Sequence, residues 1–261
     1  MLKGKSALIT GSLDGIGFAI ARALAAQGCS VMLNGFGDAE MVKDRVATLR
    51  ALGVEADYHG CDLSVPAQIV DMVETTARTF GAIDIVVNNA VTRHYAPIEE
   101  FPVEAWNYAL AVNLSAPFHI IRQAMPGMKE RKWGRIVSLG SNYALSGTTH
   151  RSDYCSTKHG IVGLTKVVAL EGLPFGITAN VICPGATYTS ISKQKIAERM
   201  AASAGKTEEE ATRDYLAQRQ PSRRFVPAEK IGELVVFLCS DAASEMTGTP
   251  ITMDGGWMAY S

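Results

Sequence analysis

Ser141, Tyr154 and Lys158 are residues whose types and spacing could carry out acid–base chemistry. Tyr154 and Lys158 are four positions apart in a segment with helical apolar spacing, so their side chains share one helix face. A free tyrosine titrates near ~10, and we expect the ammonium to lower the pKa of Tyr154 by favouring its phenolate. Such a tyrosine can exchange a proton with a carbonyl or an alcohol, whose oxygen the Ser141 hydroxyl can also bond. Taken alone, the spacing is more typical of an exposed pair on an ordinary helix.

A glycine-rich turn near the N-terminus predicts a nucleotide site. Residues 6–10 have the apolar character of a strand, and an apolar helix face follows the glycines. We expect Gly11 to allow a tight turn, Gly15 to let the backbone approach a pyrophosphate, and Gly17 to let the helix pack closely on the strand. The other residues of this turn in the predicted cofactor site are Leu13, Asp14 and Ile16.

Apolar strand patterns alternate with helical patterns along the whole chain. The predicted strands are 6–10, 30–33, 55–60, 83–87, 136–139, 178–182 and 250–253, and the predicted helices between them include 40–52, 66–80, 105–129, 154–172 and 227–239. This alternation predicts an α/β fold, a single domain over residues 1–261 with a Rossmann-type, doubly wound parallel sheet and helices on both faces. The charged stretch 186–221 follows the end of a strand and has no strand pattern, so we expect it to form a mobile substrate lid.

Several residues directly follow the predicted strands and should therefore meet at the carboxyl edge of the sheet. They are Gly11, Asp62, Asn89, Ser141 and Pro184. Asp62 either caps the following helix or bonds an adenine amino group, and Phe36 either lies against an adenosine or shields a loop. Asn113 stands among apolar residues, which is more typical of a buried structural hydrogen bonder.

The residues after the second strand favour NAD over NADP. An acid often binds the adenosine ribose here in NAD enzymes, and this chain has the neutral Asn34. No lysine or arginine occurs in residues 11–17 or 34–38, whereas Asp14 and Asp38 are acidic. A 2′-phosphate would find no cation in these segments and would be repelled.

Composition excludes several other classes of function. A chain of 261 residues with 47% hydrophobic residues, 20% charged residues and a net charge of −1 suits one full core and gives no electrostatic case for nucleic acid. The five cysteines have no metal-ligand spacing, and their odd number argues against a disulfide framework. No apolar run approaches the ~20 residues of a membrane span, and no signal-peptide pattern is present. We therefore expect a cytoplasmic protein that binds no metal, membrane or nucleic acid.

In combination, these motifs resemble the short-chain dehydrogenase/reductase family over nearly the whole chain. The matching motifs are Thr10-Gly-x-x-x-Gly-x-Gly17, Asp62-Leu63, Asn88-Asn89-Ala90, Asn113, Ser141, Tyr154-x-x-x-Lys158 and Pro184-Gly185. The resemblance implies that Tyr154 is the general acid/base of an alcohol–ketone oxidoreductase, and that Lys158 lowers its pKa and binds the nicotinamide ribose. It further implies that Ser141 orients the substrate oxygen and Asn113 holds a water in a proton relay. Further implied cofactor contacts come from Leu63, Ala90, Thr187 and Thr189, the last to the carboxamide.

Within the family, the sequence is similar to the bacterial D-3-hydroxybutyrate dehydrogenases. The similar segments are 1–5, 33–38, 113–116, 176–180, 220–222 and 254–257. Those enzymes are NAD-dependent homotetramers, so the resemblance implies the same cofactor and assembly here. One departure is Val91, which stands where the family has a glycine that allows close approach.

The substrate positions also depart from the D-3-hydroxybutyrate dehydrogenase pattern. The positions that match the substrate-carboxylate ligands of those enzymes hold Arg93, Tyr143, Arg151 and either Lys195 or Gln194. Ala186 stands where those enzymes have a tryptophan against the substrate. The resemblance therefore implies a wider, cationic pocket for an anionic 3-hydroxy acid or a related acid larger than 3-hydroxybutyrate. Arg93 and Arg151 either grip this anion bidentately or lie at the solvated rim.

Two other functions remain compatible with the sequence. One is a 3-oxoacyl carrier-protein reductase, or another short-chain reductase of neutral substrates; the carrier-protein enzyme would use NADPH, which the glycine turn disfavours. The other is a nucleotide-sensing protein on an inactive dehydrogenase fold, against which the complete set of four predicted catalytic residues argues. Trp257 packs either across a subunit interface or in the core of its own chain.

Overall fold

Seven parallel strands form one sheet in the order β3-β2-β1-β4-β5-β6-β7. The structure is a computed structural model that describes residues 2–188, 190–201, 205, 207–217 and 220–259. The strands are β1 (Ser6–Ile9), β2 (Ser30–Asn34), β3 (Ala56–His59), β4 (Ile85–Asn88), β5 (Gly134–Leu139), β6 (Ile177–Pro184) and β7 (Pro250–Met253). The predicted single-domain, Rossmann-type parallel sheet is confirmed.

The helices cover both faces of this sheet. They are α1 (Gly15–Ala25), α2 (Ala39–Arg50), α3 (Pro66–Phe80), α4 (Val103–Leu110), α5 (Ala116–Arg131), α6 (Ser152–Gly172), α7 (Ser190–Ala201), α8 (Glu208–Leu216) and α9 (Ala228–Leu238). Successive residues of β1 point to opposite faces. Ala7 and Ile9 join a core with residues of α1, α2 and α9, whereas Leu8 joins a core with residues of α3, α5 and α6. Among the helices formed by described residues, none has the length and apolar character needed to cross a membrane.

The strand order reverses at β1, which lies between β2 and β4. Leu8 of β1 pairs with Met32 on one side and with Val86 on the other. The connecting segments that follow β1 and β4 therefore run to opposite faces of the sheet, and a crevice opens beyond the carboxyl ends of these strands. The residues that the sequence places after strands border this crevice.

The predicted helix 105–129 is interrupted. A π-helical turn over residues 111–115 separates α4 from α5, and Asn113 lies in this turn. Pro117, near the start of α5, has no N–H to bond the carbonyl of Asn113, four residues earlier, as an α-helix requires. Single π turns inside helices often occur at functional sites.

The predicted lid segment contains α7 and α8, and its two ends are joined at its base. Thr187 forms an isolated parallel bridge with Val226, and the Val226 N–H donates to the Ala186 carbonyl at 2.9 Å. Buried Gln220 accepts a hydrogen bond from the Ala186 N–H at 2.7 Å and donates to the Arg224 carbonyl. The joined segment thus runs from 187 to 226, beyond the predicted end at 221. Its function as a lid remains a prediction.

We expect Gly17→Ala to destabilise the fold by about 3 kcal/mol, because α1 packs directly on the turn after β1. A Cβ at Gly17 would clash with the Gly11 carbonyl oxygen and lie 2.6 Å from Nδ2 of Asn89. The matched control is Gly127→Ala on α5, where a Cβ meets only the movable guanidinium of Arg131 at 3.0 Å. Urea denaturation measures both free energies of unfolding, and equal values for the two variants would contradict the close packing.

Candidate active site

The carboxyl edge of the sheet opens into a cavity of about 610 Å³. It is bordered by loops that follow strands and by the first turns of α6. Many predicted site residues line it: Gly11, Ile16, Phe36, Asp62, Leu63, Asn89, Ala90, Arg93, Ser141, Tyr143, Arg151, Tyr154, Lys158, Pro184, Gly185 and Thr187. The structure therefore brings together residues that are up to 176 positions apart, from Gly11 to Thr187.

Other predicted site residues do not line this cavity. Leu13, Asp14, Gly15 and Gly17 form the turn beneath it, and Asn113 is buried behind it. Thr189 lies outside the described residues. Lys195 belongs to α7, but its side chain is also outside the described part of the chain, so the choice between Lys195 and Gln194 stays open.

The glycine turn fits a pyrophosphate. Gly11 has a φ of +60°, and a Cβ there would lie 2.8 Å from the Ala90 Cα, so only glycine allows β1 to approach the end of β4 this closely. Gly15 has a φ of +55° and open space where a side chain would be, and α1 begins at this residue. The first N–H groups of α1 therefore face a space that can hold phosphate oxygens.

Asn89 holds this turn in place. Its Nδ2 donates to the carbonyls of Thr10 at 3.0 Å and Gly11 at 2.7 Å. The Thr10 hydroxyl in turn accepts from the main-chain N–H groups of Asn89 and Ala90 at 3.0 and 3.1 Å. The Nδ2 group of Asn89 is therefore occupied by hydrogen bonds to the main chain of the turn.

The adenosine end of the cavity is polar on one side and aromatic on the other. Asn34 is buried, and its Nδ2 donates to the carbonyls of His59 and Cys61, both at 3.0 Å. Asp62 accepts from the N–H and hydroxyl of Ser64 at 2.8 and 2.7 Å, so it closes the turn before α3 while facing the cavity. Phe36 is 72% exposed at the cavity wall. Asn34 thus ties β2 to the end of β3.

A cation that sequence reasoning missed reaches the glycine turn. Arg45 of α2 donates from Nε to the Leu13 carbonyl at 2.9 Å, and its guanidinium lies 4.6 Å from the ring centroid of Phe18. Arg45 also pairs with Asp44 at 2.8 Å. The segments near the turn contain no arginine, but the inward face of α2 (Val42, Arg45, Val46 and Leu49) was a signal that could have identified this residue.

Tyr154 and Lys158 lie on one face of α6, as their spacing predicts, and both are buried. The Lys158 ammonium donates to the Leu139 carbonyl at the end of β5 and lies 5.6 Å from the Tyr154 ring centroid. Ser141 follows the same strand and accepts from the Tyr143 N–H at 3.2 Å. The end of β5 thus positions both the lysine and the serine beside the phenol.

Burial, rather than Lys158, dominates the pKa of Tyr154. Loss of solvent raises this pKa, while a hydrogen bond from Ser141 and the charges of Arg93 and Arg151 oppose the rise. Burial likewise lowers the pKa of Lys158 to about 8; the nearby Cys183 opposes this lowering, and the charge of Arg93 adds to it. The predicted lowering of the pKa of Tyr154 is therefore wrong in direction, because desolvation outweighs the charges of Arg93 and Arg151.

Asn113 is a fully bonded structural residue, as expected from its apolar surroundings. Its Oδ1 accepts from the Thr92 N–H at 2.8 Å, and its Nδ2 donates to the Thr92 carbonyl at 2.9 Å and to the Thr157 hydroxyl at 3.2 Å. The amide thereby joins the π turn to the loop after β4 and to α6. Its side chain does not face the cavity.

The substrate end of the cavity combines cations with aromatic rings. The Arg151 guanidinium carbon lies 4.4 Å from the Tyr95 ring centroid, 5.4 Å from that of Tyr143 and 5.6 Å from that of Tyr154. Arg151 also donates a hydrogen bond to the Tyr95 hydroxyl. Arg93 is exposed at the cavity wall. Distances below 6 Å are those of cation–π contact, so Arg151 is held in place by rings.

Sequence reasoning missed the aromatic wall. Trp257 packs edge-on against Tyr143 at 5.6 Å and lines the cavity, so it forms part of its own chain's pocket. The other missed aromatic residues of the wall are Tyr95, Tyr108, Tyr215 and Phe225. Val91, in place of the family glycine, also lines the cavity and is 42% exposed.

Comparisons with known proteins agree with this geometry. A sequence profile described as enoyl-(acyl carrier protein) reductase matches residues 11–258. The D-beta-hydroxybutyrate dehydrogenase of Cupriavidus necator is 47% identical over 259 residues, which cover 99% of this chain and 100% of that protein.

Two solved structures are similar throughout. NAD+-bound xylitol dehydrogenase has a TM-score of 0.86 at 28% identity, covering 98% of this chain and 99% of that one. An actinorhodin polyketide ketoreductase with NADPH has a TM-score of 0.87 at 32% identity, with the same coverage. The predicted similarity to D-3-hydroxybutyrate dehydrogenases is confirmed, and the chain belongs to the short-chain dehydrogenase/reductase family of oxidoreductases.

Proposed function

We propose that the protein is an NAD-dependent dehydrogenase that interconverts the alcohol and ketone forms of an anionic 3-hydroxy acid or a related acid. The two cavity arginines carry this proposal, because the charges of Arg93 and Arg151 both act on Tyr154 across the same space. Guanidinium groups bind carboxylates and sulfonates bidentately. The 47% identity to a D-beta-hydroxybutyrate dehydrogenase supports the same substrate class.

In the proposed mechanism, Tyr154 exchanges a proton with the substrate oxygen while the Ser141 hydroxyl bonds the same oxygen. Both groups lie at the cavity wall, and the interaction with Ser141 lowers the pKa of Tyr154 against the effect of burial. Lys158, fixed by the Leu139 carbonyl, lies beside the phenol and binds the nicotinamide ribose. NAD supplies the hydride acceptor when bound. The protein's part is to fix the carbinol carbon and to hold and move the proton.

The backbone of Asn113 suits a proton relay better than its side chain does. The side-chain amide is occupied by Thr92 and Thr157. The carbonyl of Asn113 lacks its α-helical donor, because Pro117 has no N–H. We therefore propose that the water of the relay hydrogen-bonds to the main-chain carbonyl of Asn113.

The polar surroundings of the turn support NAD rather than NADP. Arg45 reaches the turn, but it donates to the Leu13 carbonyl and pairs with Asp44. Asp14 is exposed beside the turn, and the Asp38 carboxylate accepts from the Met41 N–H at 2.7 Å. A 2′-phosphate would meet these carboxylates before a free guanidinium.

Several features support a substrate larger than 3-hydroxybutyrate. Ala186 leaves space at the cavity wall, and aromatic rings line the rest of the substrate end. We propose that the segment with α7 and α8 closes over this end as a lid, with Lys195 or Gln194 facing the substrate and Thr189 contacting the carboxamide of the cofactor. Flat rings favour a substrate with an apolar or aromatic group beside its anion.

Initial rates of NADH formation with a panel of hydroxy acids, sulfonated alcohols and neutral secondary alcohols test the function. We expect the anions to be the better substrates, and NAD to be preferred over NADP. Arg93→Ala and Arg151→Ala should each lower kcat/KM for anions about a hundredfold, since each removes a charged hydrogen-bonding partner. Tyr154→Phe should remove turnover of every substrate, because it deletes the group that accepts the hydroxyl proton during alcohol oxidation.

The matched control is Arg78→Ala, since this exposed arginine of α3 donates to the Thr75 hydroxyl on the same helix and does not line the cavity. It should behave as wild type. Turnover of neutral alcohols alone, at rates that neither cavity arginine affects, would contradict the anionic substrate and leave a short-chain reductase of neutral substrates. A preference for NADPH would contradict the proposed cofactor.

The buried Lys158 should make stability depend on pH. Its pKa is lowered from 10.5 to about 8, so between these values the unfolded chain binds a proton that the folded chain lacks. The cost of the buried ammonium is therefore complete below pH 8 and is relieved as the pH rises from 8 to 10.5. We expect the free energy of unfolding of the wild type, minus that of Lys158→Met, to increase over this range in urea titrations. A constant difference would show that the lysine is not desolvated.

We also propose a homotetramer. Apolar residues of α6 and of the turn after it are exposed in the single chain, with Val167 54%, Leu170 70% and Leu173 49% accessible. Contiguous apolar surface of this kind often marks a protein interface. Sedimentation equilibrium should give four times the chain mass, and Leu170→Glu should reduce it. A monomer at micromolar concentration would contradict the proposed assembly.

A further inference from the structure

We define residues 92–95 as the arginine loop. Three of its four residues form hydrogen bonds with residues of the π turn or of the N-terminal end of α6. Thr92 is bonded through both its N–H and its carbonyl to the Asn113 amide. The His94 N–H donates to Asp153 at 2.9 Å, and the Tyr95 hydroxyl accepts from Arg151. Arg93 lies between these anchor points and faces the cavity.

Asp153 is the central anchor of the arginine loop. Its side chain is buried, and its two oxygens accept from different main-chain N–H groups. Oδ1 accepts from Tyr154 at 2.6 Å, and Oδ2 accepts from His94 at 2.9 Å. A buried carboxylate is costly unless it is hydrogen-bonded, so the loss of either of these hydrogen bonds would destabilise this arrangement. One carboxylate therefore connects the backbone of the proposed acid/base to the backbone next to Arg93.

A third side chain connects Asp153 to Asn113. The Thr157 hydroxyl is fully buried; it donates to the Asp153 carbonyl at 2.8 Å and accepts from Asn113 at 3.2 Å. The anchors on both sides of Arg93 thus belong to one buried network within the first turns of α6. A displacement of the arginine loop relative to Tyr154 would break several of these bonds together.

We propose that Asp153 is a positioning residue for substrate specificity: it holds the arginine loop so that Arg93 and the Tyr95-bound Arg151 grip the substrate anion at a fixed separation from the Tyr154 hydroxyl. This inference rests on the proposed function, because it assumes an anionic substrate. The substrate class that fits is a hydroxy acid in which the distance from the anion to the carbinol matches the separation between the two arginines and the Tyr154 hydroxyl. Neutral alcohols, which need no grip, should depend on Asp153 much less.

Asp153→Asn tests the inference because it keeps the size of the side chain but replaces one acceptor oxygen with an NH₂ group. We expect the ratio of kcat/KM for anionic to neutral substrates to fall about tenfold, mainly through a higher KM for the anion. In a variant that already carries Arg93→Ala and Arg151→Ala, adding Asp153→Asn should not change this ratio further. Residues that act as a unit are non-additive in this way.

Tyr95→Phe is the second variant, since this exposed residue carries little risk to folding. It retains the ring beneath Arg151 but removes the hydroxyl acceptor, so the ratio should fall about threefold. The matched control is Glu233→Gln, an exposed acid of α9 that pairs with Lys230 at 2.8 Å. It should leave both rates and the ratio as in the wild type, and thermal unfolding should confirm that each variant is folded.

Two outcomes overturn the inference. One is an equal loss of anionic and neutral turnover in Asp153→Asn, and the other is an additional loss in the double-arginine background. Both would assign Asp153 to the general stability of α6. If the arginine variants themselves leave the ratio unchanged, the anionic part of the proposed function fails instead, so the two failures are distinguishable.

Discussion

The hydrogen bonds from the Asn89 amide to the carbonyls of Thr10 and Gly11 are the interaction on which the site depends. They join the ends of β1 and β4 at the point where the strand order reverses, and α1 begins directly beside them. The close approach leaves no room for a side chain at Gly17. The base of the cofactor crevice is therefore set by main-chain packing, and the substrate residues are added around it on loops.

Burial governs the chemistry above this base. Tyr154 and Lys158 both lie out of solvent, and burial disfavours the charged form of each. The opposing positive charge at the phenol comes from Arg93 and Arg151, which also line the substrate end. Substrate recognition and proton transfer are therefore electrostatically coupled, because an anion that pairs with the arginines would reduce their effect on the tyrosine.

The sequence predicted those features that depend on local spacing or on strand ends. The Tyr154–Lys158 pair follows from helical periodicity, and the meeting of Gly11, Asn89 and Ser141 follows from parallel strands that end at one edge. Other features depend on tertiary packing and could not be predicted in this way. Arg45 reaches the turn from a helix of another βα unit, and the direction of the Tyr154 pKa depends on how much solvent the fold excludes. The aromatic wall is assembled from α4, α8, loops and the final turn near Trp257, and helical periodicity within one element does not show which distant elements meet.

The parallel bridge between Thr187 and Val226 gives the segment with α7 and α8 an independent base. Because Gln220 and Val226 tie the returning chain to Ala186, the sheet holds the two ends together whatever lies between them. Loop length changes the entropy of closure only slowly, so the enclosed residues can be lengthened, shortened or exchanged at small cost. This segment is therefore an exchangeable module: a new stretch grafted in place of residues 190–217, which leaves Thr187, Gln220 and Val226 in position, would alter which acids are accepted while leaving the dinucleotide crevice intact.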